Sequence, residues 1–182
     1  MNLPNKLTLL RVFMIPFFIF FMLFQPDSAI YRVIALVIFC IASLTDMLDG
    51  KIARKHHLVT NFGKFMDPLA DKLLVCSAMI CLLSIGQLPT IAVIIIVARE
   101  FIISGFRLIA SDNGVVIAAS WWGKTKTVSQ MAMVIVLIIA PVFQNQIFDL
   151  LGLVLIYVAT ALTVISLIDY LVKNKDVLKE QK

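Results

Sequence analysis

DMLDGKIARKHHLVTNFGKFMDPLAD, residues 46–71, sets four aspartates, Asp46, Asp49, Asp67 and Asp71, beside the longest apolar runs of the chain. On a helix, positions 46, 49, 50, 53 and 54 fall within an arc of about 140°, because separations of three, four and eight residues return to one face. Asp67 and Asp71 are likewise one turn apart. Two carboxylates from each of two helix ends can therefore point into one gap. Gly50 and Ala53 leave room there for a ligand or for close helix approach.

Around this stretch the chain is mostly hydrocarbon. Its 182 residues are 61% hydrophobic and 15% charged, with a mean hydropathy of +1.00, far from the composition of a soluble domain. Six apolar segments stand out, at about 10–25, 30–54, 65–86, 89–110, 125–143 and 147–172. Most approach the roughly 20 residues that cross the hydrocarbon core of a bilayer. No linker, low-complexity tract or internal repeat divides residues 1–182. The pattern predicts one all-α domain, an integral membrane bundle of six transmembrane helices.

Six spans place both termini on one side. The connections GQLP (86–89) and QNQ (144–146) carry no Lys or Arg, whereas the other face collects Lys6, Arg11, Lys51, Arg54, Lys55, Lys64, Lys124, Lys126, Lys173, Lys175, Lys179 and Lys182. By the positive-inside rule the second face is cytoplasmic, and the four aspartates lie at it. The expected location is the cytoplasmic membrane, with both termini and the site facing the cytoplasm. Arg32 alone runs against the bias. The first segment has no A-x-A-like cleavage site after Phe24 and reads as an uncleaved helix.

The net charge of +5 and pI near 9.2 do not imply nucleic acid, because the basic residues form no stripe with interleaved aromatics. Cys40, Cys76 and Cys81 lie inside apolar runs without metal-ligand spacing and read as packing residues. His56 and His57 read as solvated loop residues, and Trp121 and Trp122 as an interfacial belt before the fifth span.

An aspartate at the centre of a membrane helix costs about 2.5 to 3.5 kcal/mol, and less towards the interface. Four together demand compensation that Arg54 alone cannot supply. Two divalent cations match four negative charges, and all-oxygen ligation favours Mg²⁺ or Mn²⁺ over zinc. Mg²⁺ binds most often through carboxylates plus substrate phosphates, which directs attention to phosphoryl chemistry.

The same stretch resembles the signature of the CDP-alcohol phosphatidyltransferases, D-x2-D-G-x2-A-R-x8-G-x3-D-x3-D. Asp46, Asp49, Gly50, Ala53, Arg54, Gly63, Asp67 and Asp71 meet every spacing. The resemblance implies transfer of a phosphatidyl group from a CDP-linked lipid, CDP-diacylglycerol, to an alcohol with release of CMP. It further implies that Asp46, Asp49, Asp67 and Asp71 ligate two metal ions and that Asp71 is the general base. Gly50, Ala53, Arg54 and Gly63 then belong to the CDP-lipid site, with Thr60 a weaker member. A homodimer is expected on the same ground alone.

Two further stretches, AREFIISGFR (98–107) and GKTKTVSQ (123–130), resemble segments of the branch of that family whose acceptor is glycerol 3-phosphate and whose product is phosphatidylglycerophosphate. Arg107, Lys124 and Lys126 can form a cationic pocket for the acceptor phosphate, though each also reads as a topogenic charge at a helix end. Arg99 and Glu100 lie too deep for ordinary surface charge and are expected to face the bundle interior, Glu100 in a buried ion pair. Arg99 is balanced between that role and anchoring phosphate.

PNKLT (4–8) resembles a short entry motif of the same branch and is expected as an N-terminal interfacial segment, with Asn5 or Thr8 capping a helix and Asn5, Thr8 and Arg11 balanced between touching the nucleotide and capping or anchoring the segment. Other acceptors, namely serine, inositol phosphate or phosphatidylglycerol, stay open. A divalent-cation transporter is the rival from another class, disfavoured because the polar groups cluster at one membrane face.

Overall fold

The computed structural model describes residues 3–55, 61–112, 117 and 120–174, and for residues 3–5, 46–55, 61–68 and 111–112 the backbone alone. Among the described residues the chain is entirely helical: α1 (Leu3–Leu23), α2 (Ala29–Lys55), α3 (Asn61–Ser84), α4 (Thr90–Asp112), α5 (Trp121–Phe143) and α6 (Gln146–Lys173). Three stretches, Lys6–Leu23, Trp121–Phe143 and Gln146–Lys173, are long and apolar enough to cross a membrane, and Ala29–Thr45 is a shorter apolar helix. Charged side chains such as Arg99, Glu100 and Arg107 dilute the apolar character of α4.

α1 packs against α2 and α3, α5 against α6, α2 and α3, and α4 against α6 and α3. Phe18, Phe39, Leu74, Met79, Leu82, Ile96, Met133 and Ile138 fill the interior, with Phe18 and Phe39 ring centroids 5.9 Å apart. Lipid tails are as apolar as leucine, so such a core holds helices by close packing more than by exclusion of water. Fully buried Ala35, Ala42, Ala78 and Ala159 let the helices approach. At Gly152 a Cβ would meet Leu137 Cδ2 at 3.0 Å, so α5 and α6 approach tightly there. The outward faces are also apolar, with Phe13, Ile91, Ile94, Val128, Ile147 and Tyr157 exposed. This is the surface of a membrane-embedded bundle, whose solvent is lipid.

The turns at one end follow from their residues. Gly86 takes φ +75°, and Gln87 N–H closes back on Leu82 O at 2.9 Å, ending α3. Between α5 and α6 the chain reverses on Gln144 in the left-handed region, and Asn145 Oδ1 accepts from Ile147 N–H at 3.0 Å.

Arg32, the exception to the charge bias, belongs to this end and is buried, at 4% exposure. Its Nε donates to Pro26 O at 2.6 Å, and its Nη1 to Gln87 Oε1 at 2.8 Å and Ile138 O at 3.5 Å. Ile138 lies in α5, one turn before Pro141. Arg32 is thus a clamp between two connections and α5, not a topogenic loop charge.

Further expectations differ from the fold. Among the described residues PNKLT is not set apart from the first apolar helix, because α1 runs from Leu3; Pro4 sits in its first turn, where no N–H is needed. Thr8 is fully buried inside that helix and does not cap it. Arg11 and Lys126, which the charge bias places at helix ends, are fully buried. α5 begins four residues before the apolar run, since Ser120 Oγ accepts from Gly123 N–H at 3.1 Å, and this cap draws Trp121 and Trp122 into the first turn.

Candidate active site

Asp46, Asp49, Gly50, Ala53 and Arg54 lie on the last turns of α2, and Gly63 and Asp67 on the first turns of α3. Gly63 is thereby a helical residue. The side chains of these residues, and that of Asn5, lie outside the described residues, as do Thr60, His56 and His57 altogether. Asp71, one turn further along α3 from Asp67, is described and half-buried.

Asp71 borders a cavity of about 470 Å³, together with Lys72 from α3, Arg99, Glu100 and Arg107 from α4, and Gly123, Lys124, Thr127 and Val128 from α5. A recess of about 60 Å³ continues from Asp71, Lys72, Glu100 and Thr127 towards Val75, Cys76, Gln130 and Met131. Three of the four residues expected at the acceptor phosphate, Arg99, Arg107 and Lys124, line the larger cavity. The α5 backbone passes so near Arg99 that a Cβ on Gly123 would sit 3.4 Å from its Nη2.

Lys126, the fourth, is placed otherwise. It is fully buried, donates to the Glu100 carboxylate and to Gln130 Oε1, and is not among the lining residues. Glu100 also accepts from Arg99 Nη1 at 3.4 Å. The expected buried ion pair at Glu100 therefore exists, with Lys126 as its nearer partner. An unpaired ammonium at full burial is prohibitively costly, so Glu100 is what permits Lys126 to be there. Gln130 carries the network on, its amide donating to Met79 Sδ at 3.4 Å in the core.

Lys72 was not anticipated. It follows Asp71 directly, and a turn of about 100° per residue argues against a shared cavity. A lysine stem spans that angle while its head stays with polar partners. The Lys72 ammonium donates to Ser104 Oγ, whose hydroxyl donates in turn to Glu100 O at 2.5 Å. A neutral hydroxyl fixes the ammonium's position without cancelling its charge.

Four cations and two carboxylates thus line the larger cavity. That balance favours an anionic small molecule, and a volume of this size accommodates one alongside part of a larger substrate. Asp71 supplies an oxygen that can take a proton from whatever hydroxyl the cations hold beside it.

The family described as CDP-alcohol phosphatidyltransferase matches residues 1–165 of the chain. The chain is 41% identical to the CDP-diacylglycerol–glycerol-3-phosphate 3-phosphatidyltransferase of Bacillus subtilis, over 98% of its own length and 97% of the relative's. Proteins of the same name from Rickettsia bellii and Haemophilus influenzae are 41% and 39% identical, each with 91% of its length covered.

Proposed function

The chain belongs to the CDP-alcohol phosphatidyltransferase family, and from that premise we propose that it transfers the phosphatidyl group of CDP-diacylglycerol to glycerol 3-phosphate, giving phosphatidylglycerophosphate and CMP. The observation that carries the choice of acceptor is the cavity where Asp71 stands beside Lys72, Arg99, Arg107 and Lys124. Glycerol 3-phosphate has a dianionic phosphate for the cations and a hydroxyl for the carboxylate. Serine offers no such phosphate. The names of the relatives point the same way.

The guanidinium and ammonium groups hold the acceptor phosphate, with Arg99 and Arg107 able to fork onto two oxygens. The acceptor hydroxyl gives its proton to Asp71, and its oxygen bonds to the phosphorus that carries diacylglycerol. The bond from that phosphorus to the bridging oxygen breaks, and the electron pair leaves with CMP. Gly50, Ala53, Arg54 and Gly63 form the face for the CDP moiety, with Asn5, Thr8 and Thr60 as further candidates; the burial of Thr8 weighs against direct contact.

Asp46, Asp49, Asp67 and Asp71 are an all-carboxylate donor set on two packed helices, α2 and α3. The set fits two Mg²⁺ or Mn²⁺ ions better than zinc. Such ions, when bound, supply charge stabilisation for the incoming and departing oxygens of an in-line displacement. Lys126, held on Glu100, shapes the recess from behind in place of touching phosphate.

All six helices are read as spans of the cytoplasmic membrane, with the Asp71 end and both termini facing the cytoplasm by the positive-inside rule. The lipid tails stay in the bilayer and reach the site between helices. The protein is read as a homodimer.

CMP release by the detergent-solubilised protein tests the proposal. The expected result is release with glycerol 3-phosphate, abolished by chelator and restored by Mg²⁺ or Mn²⁺. Release with serine, inositol phosphate or phosphatidylglycerol instead would reassign the acceptor. No release with any of them, together with divalent-cation flux into vesicles, would favour transport.

A further inference from the structure

We propose that α6, which contributes no lining residue to the cavity among those described, sets the affinity for the anionic acceptor by holding the two α4 arginines that face it. Ser166 holds Arg99 and Tyr170 holds Arg107. This inference rests on the reading of the cavity as the acceptor site.

Arg99 Nε donates to Ser166 Oγ at 3.2 Å. Ser166 is fully buried, and its own hydroxyl hydrogen is directed to Thr163 O at 3.0 Å, which turns a lone pair towards the guanidinium. Nη1 of Arg99 is held by Glu100 at 3.4 Å, while Nη2 lies on the side of Gly123, a cavity residue. The guanidinium is thus fixed along one edge and presented along another. A planar fork held in this way loses little further freedom when phosphate arrives.

Arg107 is held differently. Its Cζ lies 5.9 Å from the centre of the Tyr170 ring, within cation–π range. That ring is 3% exposed, meets Phe106 edge-on at 5.9 Å and packs with Ile103 and Leu167, which hold it in place by contact on several sides. Its hydroxyl is buried with no hydrogen-bond partner among the described residues. The ring face, not the hydroxyl, is therefore the part that acts on Arg107. The pairs Arg99–Ser166 and Arg107–Tyr170 run in the same order along both helices, as parallel packing of α4 on α6 requires.

Ser166 and Tyr170 are in this account positioning residues, and the signature of positioning is selective. Tyr170→Leu should raise KM for glycerol 3-phosphate about threefold to tenfold, the size of a partly desolvated cation–π contact, with KM for CDP-diacylglycerol and kcat within about twofold. Tyr170→Phe, which keeps the ring, should stay within about twofold of wild type. Ser166→Ala should raise the acceptor KM by a similar factor through Arg99. In an Arg107→Ala background Tyr170→Leu should add nothing, because the group it acts through is gone.

Equal rises in both KM values, a Tyr170→Phe variant as impaired as Tyr170→Leu, or a full Tyr170→Leu effect in the Arg107→Ala background would overturn the inference. Should Tyr170→Leu not fold, an unchanged acceptor KM in Ser166→Ala overturns it equally. A wild-type protein that releases CMP with serine but not with glycerol 3-phosphate would sink the acceptor assignment as well, an outcome distinct from failure of the variants alone.

Discussion

Arg32 and Arg99 are both buried arginines, 4% and 8% exposed, yet they stand in opposite surroundings at two regions of the bundle. Arg32 ends on neutral oxygens, those of Pro26, Gln87 and Ile138, which tie two connections to α5. Arg99 ends on a carboxylate and a hydroxyl, and its remaining edge borders a cavity shared with Lys72, Arg107, Lys124 and Asp71. Burial of a charge is therefore no guide to its purpose. The guide is whether its donors are consumed by the chain or left facing an open volume with surplus charge of one sign.

That contrast yields expectations that separate chemistry from stability. The largest concerns Asp71. Asp71→Asn should cut CMP release about 10²- to 10⁴-fold, the usual weight of a general base, while leaving CDP-diacylglycerol binding detectable. Wild-type turnover in that variant would remove the base assignment.

Next is the ion pair behind the cavity. Glu100→Gln strands the fully buried Lys126 and should destabilise the protein by about 3 kcal/mol or more, read as a lower melting temperature in detergent. Adding Lys126→Met should recover part of that loss, since the stranded charge goes with it. A melting temperature indifferent to Glu100→Gln would dissolve the distinction drawn for Lys126.

At the other region, Arg32→Met should cost about 1 to 3 kcal/mol by orphaning its oxygen partners. Turnover per folded molecule should nevertheless match wild type. A selective rise in either KM would mean that the Arg32 end also takes part in binding. The smallest effect is expected from Lys124→Ala, a rise of about tenfold or less in KM for glycerol 3-phosphate, blunted at high salt because Lys124 is exposed. An equal rise for the CDP-lipid would undo its place in the acceptor pocket.

Much of this was legible along the chain. Apolar runs interrupted by GQLP and QNQ gave the number and approximate limits of the helices, because each run is a local property of consecutive residues. Their ends shifted where a single side chain decided, as with the Ser120 cap that begins α5 early. The stretches 98–107 and 123–130 pointed to Arg99, Arg107 and Lys124 through their resemblance to one branch of the family, but only the structure put Glu100 with them on one cavity. Lys72 was missed because helical phase set it off the face of Asp71, and phase says nothing about the reach of a long side chain. Ser166 and Tyr170 carried no signal at all, being ordinary residues of an apolar helix.

By itself the sequence determined the membrane character, the all-helical class and the family, for these rest on composition, periodicity and fixed spacings within one stretch of chain. Only the tertiary structure decided which cation is consumed by a carboxylate, which closes a turn and which is left for a ligand. Those outcomes depend on atoms from α3, α4, α5 and α6 meeting across helix crossings, and no regularity along one helix records where another will cross it.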